Sequence, residues 1–133
     1  MEYCVFCKIA KKEIPSFKVF EDEKFLAFLD INPRNKGHTL VIPKEHFRWV
    51  WDVSYLGDYF EVVGKIARAI KKALKTDFVV SFIIGEEVPH AHIHLVPRFP
   101  GDKHGPLIDL SLIQKIKKEE MEDIANEIRR FLS

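Results

Sequence analysis

The chain has 133 residues, of which 47% are hydrophobic and 31% are charged, with a formal net charge of +1, and it fits one globular domain spanning residues 1–133. The near-neutral charge argues against a nucleic-acid partner, because general nucleic-acid-binding proteins usually carry a strong basic excess. The sequence contains neither an apolar run long enough to cross a membrane nor a recognisable signal peptide, so we expect a cytoplasmic protein without a membrane partner.

The first half of the chain predicts one short helix and three strands. The helix is expected within residues 4–12, before Pro15. Two strands that are rich in phenylalanine are predicted at residues 17–21 and 24–30. The almost wholly apolar run Thr39-Leu40-Val41-Ile42 is typical of a central strand that is covered on both faces.

The second half predicts two helices and two further strands. Apolar residues at helical spacing indicate a long helix over residues 55–75 and a last helix over residues 117–132, within a C-terminal helical extension from about residue 108 to 133. Strands are predicted at residues 78–84 and 90–97. Because helices and strands are segregated and the strand pairs resemble hairpins, the pattern favours an α+β fold with an antiparallel sheet.

The clearest chemical pattern is the run His90-Ala91-His92-Ile93-His94-Leu95-Val96-Pro97, in which imidazoles alternate with apolar side chains. In a strand, successive side chains point to opposite faces, so the three histidines would share one face. That face can bind a metal, or it can carry a histidine nucleophile whose neighbours bind phosphate oxygens. Three histidines on a solvated sheet face are the third alternative, which the strict alternation argues against.

The same run resembles the His-x-His-x-His motif, followed by two apolar residues, that names the histidine triad (HIT) family. The resemblance covers approximately residues 4–98 and is closest to the small microbial members. It implies a five-stranded antiparallel sheet with a long helix and a C-terminal helix, usually paired into a homodimer. Four more segments occur in the order of the family: Cys4-x-x-Cys7, Val19-Phe20-Glu21-Asp22, the run from Ala27 to Pro33, and the run from Gly37 to Lys44.

The resemblance also implies an activity. HIT proteins are nucleotide hydrolases and transferases, so we expect cleavage at the α-phosphorus of a nucleotide conjugate such as an AMP amide or a dinucleoside polyphosphate. The bond would be a phosphoramidate or a phosphoanhydride, the nucleoside would be a purine, most readily adenosine, and the chemistry would require no cofactor. The alternative is a dimeric purine-nucleotide-binding scaffold in which hydrolysis is incidental.

Individual roles follow from the resemblance. His92 would be the nucleophile that forms a nucleotidyl-histidine intermediate, and His94 would contact the phosphate oxygens. His38 and His90 would lie behind His92 and orient it, while the Asp30 carboxylate would accept hydrogen bonds from the ribose hydroxyls. The base pocket would be lined by Val19, Phe20, Phe28, Leu29 and Ile31.

The turn before the histidines departs from the pattern of better-known members, which carry Gly, Gln and Ser there. This chain has Gly85-Glu86-Glu87-Val88-Pro89. Two carboxylates would repel a phosphate unless they point away or meet a proton or an amine. A backbone N–H of Glu87 or Val88 is still expected to bind the phosphate.

Cys4 and Cys7 are the only cysteines. Their C-x-x-C spacing allows a redox pair, although its terminal position argues against that role, or half of a zinc site. His46 and His90 would complete a tetrahedral structural zinc site, as in some microbial members of the family. Two free thiols that pack locally are the remaining alternative.

Overall fold

The computed structural model describes residues 3–132, so the predicted domain limits at residues 1 and 133 lie outside the described residues. It contains five strands, three α-helices and one short 3₁₀ helix at Val50–Asp52. No helix within residues 3–132 is long and apolar enough to cross a membrane. The elements in chain order are α1 (Val5–Ala10), β1 (Lys18–Glu21), β2 (Phe25–Leu29), β3 (Thr39–Pro43), α2 (Leu56–Leu74), β4 (Val79–Phe82), β5 (Ile93–Pro97) and α3 (Lys118–Arg130).

The five strands form one antiparallel sheet in the order β1-β2-β3-β5-β4. This confirms the predicted α+β class, the five-stranded antiparallel sheet, the long helix and the C-terminal helix. All five residues of β3 are buried, as expected for a central strand. In contrast, β4 lies at the edge of the sheet, and none of its four residues is fully buried despite its apolar sequence.

Each face of the sheet has its own hydrophobic core. The larger core lies between the sheet and the two long helices, and Tyr59 of α2 anchors it by donating a hydrogen bond to the carbonyl oxygen of Val41 at 2.6 Å. The smaller core lies on the opposite face, where Phe6 of α1 packs with Phe28 and Leu40. Alternating residues of β2 and β3 therefore serve different cores.

The histidine strand is shorter than predicted, since β5 begins at Ile93 and not at His90. The register pairs Val41 with Ile93, so Pro43 would oppose Ala91 two residues further along. Pro43 has no N–H to donate, and its carbonyl oxygen accepts a hydrogen bond from the ring of His90 at 2.8 Å. Ala91 instead donates its N–H to the carbonyl oxygen of Phe47 at 2.7 Å, and the chain leaves the ladder there.

The helices also end slightly inside their predicted limits. Helix α2 stops at Leu74 because Lys75 adopts a left-handed conformation with φ of 55° and returns its N–H to the carbonyl oxygen of Lys71. Helix α1 stops at Ala10, well before Pro15. The chain between β5 and α3 contains no regular helix or strand.

Candidate active site

Two of the triad histidines, His92 and His94, border a cleft of about 470 Å³ on the face of the sheet that carries the smaller core. Ala91, Ile93 and Leu95 point to the larger core on the other face, as the alternation predicts. The cleft lies between helix α1, the central strands, the turn before β5 and the segment after β5. Representative residues of its walls are Phe6, Phe28, Asp30, Glu87, His92 and Leu110.

His92 is only 6% exposed, and it presents one ring nitrogen to the cleft. Its Nδ1 lies 2.7 Å from the carbonyl oxygen of His90. Because a carbonyl oxygen only accepts, Nδ1 carries the proton and Nε2 keeps its lone pair. Burial lowers the pKa of His92, which favours this neutral form. The edge of the Phe6 ring packs against the imidazole with ring centroids 5.1 Å apart.

His94 carries its proton on Nε2, unlike His92, because of its contact with His38. The backbone N–H of Arg34 donates to Nδ1 of His38 at 3.0 Å, so Nε2 of His38 carries the proton. The Nε2–H of His38 donates a hydrogen bond to Nδ1 of His94 at 2.9 Å, so His94 carries its own proton at Nε2. Burial lowers the pKa of His38 to about 2 and that of His94 to about 3, so both rings are neutral at pH 7.

The structure separates the two histidines that were expected to support His92. His38 contacts His94 and not His92. The ring of His90 donates from Nε2 to Pro43 and turns Nδ1 toward two thiols, so only its backbone carbonyl holds His92. Burial lowers the pKa of His90 to about 4 and keeps its Nδ1 lone pair available.

Cys4, Cys7, His46 and His90 form a compact cluster in which one donor atom from each residue lies within 4.8 Å of the others. Nδ1 of His90 is 3.3 Å from Sγ of Cys4, and Nδ1 of His46 is 3.3 Å from Sγ of Cys7. Burial, aided by the Cys4 thiol, raises the pKa of Cys7 to about 11. A divalent metal reverses such a shift by stabilising the thiolate. Two sulfurs and two imidazole nitrogens in this arrangement fit a tetrahedral zinc site.

Asp30 lies beside the histidines at the cleft. Its Oδ1 accepts the backbone N–H of Asn32 at 2.8 Å, and its Oδ2 is 3.9 Å from the Arg34 guanidinium and 3.6 Å from Nε2 of His38. Burial raises the pKa of its carboxyl group. Asp30, His38 and His94 also lie close enough together to suggest a metal site. However, Nε2 of His38 and Nδ1 of His94 are joined by a hydrogen bond of 2.9 Å.

The predicted base-pocket residues divide between the two faces of the sheet. Phe28 and Ile31 border the cleft, and so do Glu87 and Val88 of the preceding turn. Leu29 also touches the cleft, but it is buried in the larger core on the other face. Val19 and Phe20 do not reach the cleft and pack with that larger core. An irregularity in the register between Lys18 and Phe20 turns two successive side chains of β1 to that same face.

Several residues of the cleft were not predicted from the sequence. Phe6 and Ile9 lie three residues apart on α1, a helical spacing that could have indicated a shared face. Arg34 lies in a loop, and Leu110 and Ile113 lie in the irregular segment after β5, where periodicity carries no signal. The additional lining residues include Val5, Phe6, Ile9, Ile14, Arg34, Leu110 and Ile113.

Comparison with known proteins agrees with this geometry. The HIT domain family model matches residues 11–101. The chain is 41% identical over 140 residues to Protein hit of Bacillus subtilis, covering 99% of this chain and 96% of the relative. It is 38% identical over 128 residues to adenosine 5'-monophosphoramidase HNT1 of Saccharomyces cerevisiae, covering 87% of this chain and 79% of the relative.

A solved structure of a Zn-bound histidine triad family protein from Mycobacterium smegmatis has a similar fold. It superposes with a TM-score of 0.80 and 34% identity, covering 98% of this chain and 94% of that chain. The match to the family model spans most of the chain, and the identity to the relatives extends over nearly its whole length. The chain therefore belongs to the histidine triad family.

Proposed function

We propose that the protein hydrolyses nucleotide conjugates at the α-phosphorus, through a nucleotidyl intermediate on His92, and releases a nucleoside monophosphate. The observation that carries this proposal is the environment of His92. Its Nδ1 proton is committed to the His90 carbonyl, and its unprotonated Nε2 faces the cleft. A neutral imidazole in this orientation is a competent nucleophile.

In the first step, the Nε2 lone pair of His92 attacks phosphorus and a P–Nε2 bond forms. The bond from phosphorus to the leaving amine or phosphate breaks, and the leaving group takes the electron pair and a proton from water. The His90 carbonyl stabilises the positive charge that develops on the ring of His92 through the bond to Nδ1–H. Water then attacks phosphorus and loses a proton to solvent, which balances the proton that the leaving group took from water. The P–Nε2 bond breaks, its electron pair returns to Nε2, and His92 is neutral again.

Other residues would bind the parts of the nucleotide that do not react. The Nε2–H of His94 is placed to donate to a nonbridging phosphate oxygen. The Asp30 carboxylate would accept hydrogen bonds from the ribose hydroxyls. Phe6 and Phe28, whose ring centroids lie 5.5 Å apart, would contact the base together with Ile9. The name of the yeast relative, an adenosine 5'-monophosphoramidase, supports an AMP amide with adenine as the base.

We further propose that Cys4, Cys7, His46 and His90 hold a structural zinc ion. Zinc would fix α1 and the His90 ring against the sheet, and no step of the reaction requires it. The Zn-bound relative supports this assignment, as does the donor set. Protein purified without added metal is expected to contain about one zinc per chain. A Cys4→Ser, Cys7→Ser variant that retains the same zinc content would refute the assignment.

We also propose that residues 3–132 form one domain and that two copies pair. Helix α3 supports the first point because Met121, Ile124 and Ile128 are buried in the larger core. The free edge of β4 and the partly exposed Phe60 of α2 support the second. Sedimentation should give twice the 15.6 kDa chain mass, and a monomer at micromolar concentration would contradict pairing.

The decisive experiment combines turnover with trapping of the intermediate. Wild-type protein should hydrolyse adenosine 5'-phosphoramidate or a dinucleoside polyphosphate. Rapid quenching in alkaline denaturant should capture AMP on His92, because a P–N bond to imidazole is labile in acid and stable in alkali. The His92→Asn variant should bind AMP but lose turnover by several orders of magnitude. If wild-type protein binds AMP and cleaves neither compound, the scaffold function is correct. If the label is found on another residue, the proposed mechanism is wrong.

A further inference from the structure

A histidine outside the triad has both of its ring nitrogens in defined hydrogen bonds. His104 lies in the irregular segment between β5 and α3. Its Nδ1 accepts the backbone N–H of Asp109 at 2.9 Å, so its Nε2 carries the proton. Nε2 donates that proton to the carbonyl oxygen of Arg34 at 2.8 Å. These two contacts fix one tautomer of His104 and attach it to the loop before β3.

Arg34 connects His104 to the histidines of the cleft. The carbonyl oxygen of Arg34 accepts from His104, and its own N–H donates to Nδ1 of His38 at 3.0 Å. His38 in turn donates from Nε2 to Nδ1 of His94 at 2.9 Å. All three rings therefore accept at Nδ1 and carry the proton at Nε2. The series ends at the Nε2–H of His94, at the cleft.

Besides the His104 contact, the segment 104–114 makes two further hydrogen bonds to the loop that contains Arg34. Nε of Arg34 donates to the carbonyl oxygen of Leu110 at 2.9 Å. The backbone N–H of Gln114 donates to the carbonyl oxygen of Pro33 at 2.7 Å. Of these three contacts, the one from His104 is made to the backbone carbonyl of Arg34. The backbone N–H of the same residue sets the tautomer of His38.

We propose that His104 is a positioning residue for phosphate binding: by holding the Arg34 backbone it fixes the tautomers of His38 and His94, so that His94 presents an N–H to the phosphate. The catalytic consequence rests on the proposed nucleotidyl transfer to His92. The tautomers themselves do not depend on that reaction, so they can be tested separately.

The alternative tautomer of His38 and His94 would reverse the direction of the hydrogen bond between them. If Arg34 moves, its N–H no longer reaches Nδ1 of His38, and His38 can carry its proton there. Nε2 of His38 then accepts a hydrogen bond from the Nδ1–H of His94, and Nε2 of His94 turns a lone pair to the phosphate oxygens. A lone pair repels these oxygens where an N–H would bind them. One lost hydrogen bond changes such a balance by about fivefold.

Two substitutions at the same position separate the two contacts of His104. The oxygen of an asparagine side chain at 104 can still accept from Asp109, but the side chain is too short to donate to Arg34. The longer side chain in His104→Gln can place an amide N–H near the Arg34 carbonyl. We therefore expect His104→Asn to disturb the hydrogen bonds that run from His104 through Arg34 and His38 to His94, and His104→Gln to preserve most of them.

The primary measurement is the ¹⁵N NMR of the histidine rings in the full-length protein, which distinguishes protonated from unprotonated nitrogens. Wild type and His104→Gln should show Nε2–H at both His38 and His94. His104→Asn should show a second tautomer at these two rings. In hydrolysis of adenosine 5'-phosphoramidate, kcat of His104→Asn should fall by up to about fivefold, since a fivefold change in the tautomer balance lowers the active fraction by no more than that factor. KM should change little, because the nucleoside contacts remain.

Thr76→Val is the matched control, since it removes another hydrogen bond from a side chain to a backbone carbonyl, that of Arg98 at 2.6 Å. It should lower stability without changing tautomers or kcat. The proposal is wrong if His104→Asn keeps the wild-type tautomers, or if Asn and Gln at this position behave alike. If wild type cleaves neither adenosine 5'-phosphoramidate nor a dinucleoside polyphosphate, the proposed function is wrong, and the NMR result still decides whether His104 fixes the tautomers.

Discussion

Acidification should destabilise the fold measurably through His38, and the size of this effect follows from its burial. His38 is 1% exposed, and burial lowers its pKa to about 2, with the neighbouring His94 and Arg34 acting in the same direction. An unfolded histidine has a pKa of about 6.5. Below that pH the unfolded chain binds a proton at this position and the folded protein does not, so stability falls as the pH falls.

The magnitude can be worked out for one residue. At pH 7.5 almost no unfolded chain is protonated at this position, and the cost is negligible. At pH 5 the unfolded state gains about 2 kcal/mol from protonation of His38, a large fraction of an ordinary domain stability of about 5–15 kcal/mol. The loss continues until the pH approaches the folded pKa. His90 and His94, whose pKa values are also lowered, add to the total in the wild type.

Urea unfolding at pH 7.5, 6 and 5, followed by the fluorescence of Trp49 and Trp51, measures this loss. A chelator in every sample removes the separate pH dependence of metal binding. The His38→Gln variant, which keeps an amide donor for His94, should lose about 2 kcal/mol less than wild type between pH 7.5 and 5. Leu107→Ala, at a residue that is 82% exposed, should follow the wild-type curve. Parallel curves for wild type and His38→Gln would refute the argument.

Three substitutions test other parts of the structure. Phe6→Ala should weaken AMP binding about three- to tenfold by calorimetry, because Phe6 forms the cleft wall beside the triad, and unchanged affinity would remove it from the base pocket. Tyr59→Phe should cost about 1–3 kcal/mol in urea, since it leaves a buried carbonyl without its donor; no change would contradict the 2.6 Å bond. Gly37→Ala should destabilise by more than about 1 kcal/mol, because φ is +83° and the new Cβ would overlap a leucine of α2. Gly57→Ala, in a helix with open space around it, should instead stabilise, and equal effects would refute the strain.

The sequence was sufficient to predict the sheet because its alternation is set by burial. The three histidines at alternate positions and the apolar residues between them indicated a segment with two different faces. The register of β5 against β3 agrees with this for His94 and its neighbours Ile93 and Leu95. The start of β5 was not predictable in the same way. It depends on Pro43, which is distant in sequence and comes opposite Ala91 only after the sheet has formed.

The candidate site was predicted less completely than the fold. Val19 and Phe20 have the hydrophobic character of pocket residues, but one irregularity in the ladder turns both away from the cleft. Composition could not reveal that irregularity. Leu110 reaches the cleft through a hydrogen bond between its backbone carbonyl and the Arg34 side chain. Backbone groups are the same in every residue, so such contacts leave no pattern in the sequence.

The position of His90 explains how the proposed zinc site and the proposed nucleophile can lie two residues apart without interfering. Its ring points to the thiols of Cys4 and Cys7, whereas its carbonyl oxygen points to Nδ1 of His92. His92 is thus oriented by a backbone carbonyl, a group that cannot titrate. The ring of His90, which can titrate, contacts Pro43 on one side and the two thiols on the other. Both proposed roles consequently require that the chain leave the ladder before Ile93, since a regular strand would commit the carbonyl oxygen of His90 to a neighbouring strand or to solvent.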